Sequence, residues 1–287
     1  MRTGSKPVGA ADSGKFEYPD DKLHKLWDTL HHGDREPWPE TKSIARLGTK
    51  SVPFAEWLDA HPGGPAAVAQ GLRDAWRAFH AGDFTKAIKL GSSLGPLGAV
   101  AANKAAAIYA YYGRRSAAQR RELLESAATR GEAAVKLLPD HANAHYMLAL
   151  ALGRYSQDIS IIKAAATGVA GRVRTHLERA LEIEPAHAEG HVALGLYHAE
   201  LIGKLGRIAA SLTYDASQDS ALAQFRRALK LAPALPIVHI EYANGLLLLD
   251  AKRNRAQAED LYGQAAAHAP IDAMEQFDVA RAQRGLA

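Results

Sequence analysis

Apolar residues along this chain recur in steps of three and four, and in its second half the steps form a phrase that repeats. Leu177, Ala180, Leu181 and Ile183 lead to Pro185; Phe225, Ala228, Leu229 and Leu231 lead to Pro233; Tyr262, Ala265 and Ala266 lead to Pro270. A weaker copy, with Ala134, Val135, Leu137 and Leu138, leads to Pro139. Steps of three and four put these residues on one helical face, and each proline, unable to continue a helix, marks a stop and a new start. The pattern predicts an all-α stack of helical hairpins, none of which buries its apolar face alone.

Upstream the pattern is less regular. Residues 1–19, rich in Gly, Ser, Lys and Pro, read as a flexible arm. Asp20 and Asp21 cap a short helix that carries Leu23, Leu26, Trp27 and Leu30 and stops near Gly33. Trp38, Phe54 and Trp57 then stand among Pro and Gly, so residues 20–64 read as an irregular N-terminal cap over the open end of the first repeat. The repeat array, 65–287, begins near Pro65 with a helix through Leu72, Trp76 and Phe79 that turns at Ala81, Gly82 and Asp83. A second hairpin pairs residues 101–112 with 117–138. Arg114, Arg115, Arg120 and Arg121 gather at its turn, where Glu122 and Glu125 predict a solvated, salt-bridged end; Tyr109, Tyr111 and Tyr112 are expected to pack in the core.

These hairpins resemble tetratricopeptide repeats. The first-helix letters of that repeat fall on His145, Leu148, Ala149 and Leu152, on His191, Leu194, Gly195 and His198, and on His239, Tyr242, Ala243 and Leu246. The second-helix letters fall on Ala221, Phe225 and Pro233 and on Ala258, Tyr262 and Pro270. Histidine replaces the usual tryptophan. The repeat-ending prolines lie 46, 48 and 37 residues apart, against about 34 in an ordinary repeat. Two repeats therefore carry insertions, near 155–169 and 201–214, and both are apolar and rich in small residues, which predicts that they are buried. Long insertions on such helices resemble bacterial relatives of the regulator of microtubule dynamics family. They also resemble the helical lipoproteins associated with TRAP transporters, whose elongated repeats surround a ligand passage, although this chain has no lipobox cysteine.

Composition narrows the functional classes. With 47% apolar residues over 287 positions, the chain can bury a large core as one array. A net charge of +4 from 35 basic and 31 acidic residues is too even to indicate a nucleic-acid face. There is no cysteine, hence no disulfide or thiolate metal site. The sequence shows no secretory signal and no apolar run long enough to span a membrane, so a cytoplasmic protein is expected. No nucleophile elbow, phosphate-binding loop or dinucleotide fingerprint is present, and no enzyme and no cofactor are expected.

Candidate binding residues come from the first helix of each hairpin, which should line the concave face. Asn143, Tyr146, Leu150 and Arg154 form one line, Glu189, Val192, Leu196 and Glu200 the next, and Ile237, Ile240 and Asn244 continue it. The surface is too apolar for a solvated groove or for a clamp gripping a chaperone tail. Either the insertions fold across it, or it holds an apolar peptide, helix or lipid-like ligand. The expected function is a protein-binding scaffold, with Arg154, Glu189, Glu200 and Asn244 orienting the partner. The alternative is a small hydrophobic ligand enclosed by the repeats and insertions, which requires an apolar cavity on the order of a few hundred Å³. His141 with His145, and His187 with His191, have the i,i+4 spacing of metal ligands. The recurrence of one histidine per repeat fits packing or helix-end capping better.

Overall fold

The computed structural model describes residues 16–49, 52–112, 115–159 and 166–286, and among them it contains fourteen helices and no strand. Three short helices, α1 (Asp20–Leu30), α2 (Thr41–Gly48) and α3 (Val52–Ala60), precede the array. Hairpins follow: α4 (Gly64–His80) with α5 (Phe84–Ser93), α6 (Gly95–Tyr112) with α7 (Ala117–Leu137), and α8 (Ala142–Gln157) with α9 (Val169–Ile183). In the next repeat α10 (Ala188–Leu205) is separated from its partner α12 (Gln218–Leu231) by the extra helix α11 (Arg207–Tyr214). The last hairpin is α13 (Pro236–Ala266), broken at Asp250 by an extended backbone (φ −165°, ψ 95°). Tyr262 donates its hydroxyl proton to Asn244 Oδ1. In a straight helix these residues would stand about 27 Å apart, so the second half of α13 folds back along the first. α14 (Ala273–Gly285) ends the array.

The repeated histidine has a structural cause. His145, His191 and His239 each turn Nε2 onto the carbonyl of the proline six residues earlier, Pro139, Pro185 and Pro233, at 2.9, 3.1 and 2.7 Å. A helix end leaves carbonyls without partners, and this pairing closes one at every junction. The histidines four residues before two of them act as N-caps: Ala144 N–H donates to His141 Nδ1 (3.3 Å) and Gly190 N–H to His187 Nδ1 (2.9 Å). The same-face contacts depend on small residues. Phe225, fully buried, lies between Gly195 and Gly245, where a Cβ would come within 2.8 and 2.3 Å of its ring.

Unlike an open solenoid, the array curls until its ends meet. Phe277 of α14 packs against Phe84 of the first hairpin (ring centroids 5.9 Å) and stacks on Tyr112 (5.2 Å). The N-terminal segment runs inside this ring. Phe16, Tyr18, Leu23 and Trp27 are buried there, so residues 16–19 of the expected flexible arm are packed, and residues 1–15 lie outside the described residues. The cap is also more regular than expected. α2 and α3 place Ile44, Phe54 and Leu58 against Leu72, Leu94 and Leu97 of the first hairpin.

The second insertion differs from the expectation of burial. Residues 160–165 of the first lie outside the described residues. The second lengthens α10 and forms α11, which buries only Ala210 and leaves Ile208 and Leu212 exposed. Among the described residues α11 packs mainly against α10. Arg114 is likewise outside the described residues, whereas Arg120 makes a bidentate pair with Asp158 at the end of α8 (3.0 and 2.7 Å).

Replacing Phe225 by Ala should cost about 3–5 kcal/mol, read as a fall in the urea midpoint at unchanged slope.

Candidate functional site

The concave face expected to bind a partner is occupied by the chain's own N-terminal segment. Asp34 is 1% exposed and its carboxylate meets Lys104 of α6, itself 8% exposed, at 2.5 Å. Lys104 also pairs with Glu189 of α10 at 2.9 Å, and Tyr146 of α8 donates to the other oxygen of Glu189 at 3.1 Å. Asn143 donates to the Asp34 carbonyl (2.9 Å) and to Glu36 Oε2 (2.6 Å) and accepts from His187 Nε2 (2.8 Å). The Glu189 N–H donates to the Gly33 carbonyl at 3.0 Å. Gly33 permits that approach, since a Cβ there would stand 2.5 Å from Leu235 and 2.9 Å from Glu189.

A second strand of polar contacts joins this centre to the end of the array. His31 Nδ1 meets Asp34 Oδ1 (2.9 Å), His31 Nε2 meets His80 Nε2 (3.3 Å), and His80 Nδ1 meets Asp272, the N-cap of α14 (2.7 Å). Three such bonds need three ring protons. Two neutral imidazoles carry two, so with both rings neutral only two of the three contacts are hydrogen bonds at any one time.

Burial sets the protonation of these groups. Burial holds His31 down at about 4 against the pull of Asp34, and His187 at about 4 for the same first cause. Asp34 is kept well below the usual carboxylate range by Lys104 and His31, which overcome its burial. Partly buried Glu36 is raised to about 8, mainly by desolvation and then by the Asp34 charge.

The eleven candidate residues therefore divide. Asn143, Tyr146 and Glu189 are bonded to the N-terminal segment or its anchors, while Val192 and Ile240 are buried in apolar clusters. Asn244 is held by Glu241 (2.7 Å) and Tyr262, and Ile237 borders the small space left within the ring, about 100 Å³. Leu150, Arg154 and Leu196 also border that space, and together with Glu200 they line a cavity of about 530 Å³ between α8, α9, α10 and α11.

The cavity walls are mostly apolar. α9 contributes Val169, Val173 and Leu177, a stripe at four-residue spacing on a second helix, outside the first-helix line of candidate residues. α11 and the end of α10 contribute Leu205, Ala209 and Tyr214, all from the second insertion, whose apolar composition suggested a wall around an enclosed ligand. The polar groups at the cavity are paired among themselves: Gln157 Nε2 donates to Glu200 (2.7 Å), Lys204 pairs with Glu200 (2.9 Å), and Arg154 faces Glu241 (3.6 Å). Tyr197 is the exception. It lines the cavity and is 8% exposed, and its hydroxyl has no hydrogen-bond partner among the described residues.

Hairpins with a small residue at each crossing, stacked in register and joined at prolines, define a tetratricopeptide-like helical repeat protein. A thermophilic tetratricopeptide protein of Thermus thermophilus has a similar fold, with a TM-score of 0.55 at 18% identity over 76% of this chain and 99% of its own. The model of the regulator of microtubule dynamics protein 1-3 family matches residues 99–283, and the chain belongs to that family. Comparison with curated protein sequences gives no match.

Replacing Lys104 by Met should destabilise the fold by about 3–5 kcal/mol, because two carboxylates lose their cation in a buried site. Adding Asp34→Asn and Glu189→Gln should restore part of the loss in urea melts. The pH profile should have opposing limbs. His31 and His187 stay neutral in the fold down to about 4 but protonate near 6.5 when unfolded, so their contribution is complete above 6.5 and is lost as pH falls towards 4. Glu36 works the other way: its contribution is complete below 4.5 and is lost as pH rises through about 8. Glu36→Gln should therefore gain stability relative to the parent at pH 8 and not at pH 4, measured by urea denaturation at both.

Proposed function

We propose that the protein is a non-catalytic binding module that holds an apolar ligand in the cavity between α8, α9, α10 and α11. The observation that carries this reading is the cavity itself. Its volume of about 530 Å³ falls within the range of ligand pockets, about 300–1,000 Å³. The concave face, where repeat proteins commonly engage a partner, supports that role less well here, because residues 16–36 fill it and their polar atoms are bonded to it.

Leu150, Leu196 and Val173 supply apolar contact, while Arg154 and Glu200 stand among the lining residues as the polar groups that fix orientation. No cofactor is required. Among the described residues no helix is long and apolar enough to cross a membrane.

Native mass spectrometry of the purified chain, followed by organic extraction, tests the proposal. A bound small apolar molecule at stoichiometric amount is expected. Leu150→Glu together with Leu196→Glu should abolish its retention while far-UV helicity stays unchanged. A clean apo mass that persists when small apolar probes are added overturns the small-ligand reading and leaves the cavity to an apolar side chain of a protein partner. Tyr197→Phe should raise stability by about 1 kcal/mol, as removal of a buried donor that lacks a partner relieves its desolvation cost; thermal denaturation of the ligand-free protein reads it.

A further inference from the structure

Among the described residues α11 carries two large apolar side chains that stand mostly in solvent, Ile208 at 78% exposure and Leu212 at 84%, and Leu248, 43% exposed, lies near the turn that leads into α11. Ile208 and Leu212 are four apart on α11 and so stand side by side, on the side opposite Ala210, the helix's buried residue. Leu248 closes the first half of α13 and lies over Gly203, its Cδ2 3.6 Å from where a Cβ on that glycine would be. The kink of α13 is therefore beside the turn between α10 and α11.

Cations crowd the same two turns. Lys204 and Arg207 flank the first, Lys252, Arg253 and Arg255 follow the second, and all five are exposed. The nearby carboxylates are already engaged: Glu200 by Lys204 (2.9 Å), Glu259 by Arg255 (2.9 Å) and Asp215 by Arg174 (3.3 Å). Asp250 accepts from the Arg253 backbone N–H at 3.1 Å. Arg207, Lys252 and Arg253 enter no ion pair among the described residues.

We propose that this edge docks on an anionic lipid bilayer, with Ile208 and Leu212 entering the headgroup layer and Arg207, Lys252 and Arg253 facing lipid phosphates. The apolar pair projects outward from a helix, so a protein partner would need a matching cavity, whereas a fluid bilayer takes up a projection without one. Charge complementarity names the lipid sign. Two short side chains or a small basic cluster alone bind a membrane weakly, and the combination of both is what gives a useful, reversible attachment. The proposal is independent of what fills the 530 Å³ cavity.

Flotation of the full chain with vesicles tests it. The protein is expected to float with vesicles of equal parts phosphatidylcholine and phosphatidylglycerol and to bind pure phosphatidylcholine vesicles at least tenfold more weakly. Binding should fall as salt shortens the reach of the charges. Replacing Lys252 and Arg253 by Gln should weaken it about fivefold per cation removed. Ile208→Ser with Leu212→Ser should weaken it about tenfold at unchanged far-UV helicity; both sites are exposed, so the fold is not at risk. Failure to float with the mixed vesicles, or parent-like binding by the serine variant, overturns the proposal. Equal binding to both vesicle types overturns its electrostatic part.

Discussion

The buried contact of Asp34, Lys104 and Glu189 is the constraint on which the rest of this molecule depends. An ammonium removed from water is tolerated only when its partners are close and fully bonded, and here one carboxylate comes from the N-terminal segment and the other from the fourth repeat hairpin of the array. The requirement binds parts of the chain 70 and 85 residues apart to one point. It also explains why Asn143, Tyr146, His187 and Glu36 are all polar at a place where a repeat array would ordinarily pack apolar side chains: each satisfies a group that the triad draws inward. What looks from outside like a peptide groove is, in this chain, a polar core.

The fold was legible because it is written locally. Helix periodicity, the repeat-ending prolines and the small residues at Gly195 and Ala243 all act within some forty residues, and such signals survive in sequence. The recurring histidine was visible as a slot but not as a bond, because the carbonyl it reaches belongs to a helix end whose orientation sequence spacing does not fix. The candidate line was half legible for a related reason. First-helix spacing found Leu150, Arg154, Leu196 and Glu200 at the cavity, yet it grouped them with Asn143, Tyr146 and Glu189, which share their helices but face the N-terminal segment. No periodicity links Asp34 to Lys104, so nothing in the pattern announced that the face was filled.

The insertion after α10 shows where composition misleads. Its apolar composition predicts burial, because solvent-facing loops are usually polar. α11 instead divides its residues between the cavity, where Ala209, Thr213 and Tyr214 stand, and the outside, where Ile208 and Leu212 stand. An eight-residue helix packed mainly against one neighbour has too few positions to hide every apolar side chain it carries. The choice between loss of a wall of the cavity and exposure of two aliphatic side chains has been resolved in favour of the wall.

Most helical repeat arrays are open at both ends, and a lineage can lengthen or shorten them by whole units, because each unit meets only its neighbours. The meeting of Phe277 with Phe84 and of Asp272 with His80 removes that freedom here. One repeat more would carry α14 past α4, and one fewer would leave a gap between them, with the polar chain through His80 severed in either case. The chain thus counts its own repeats: a modular architecture has been given a fixed length by the contact that closes it.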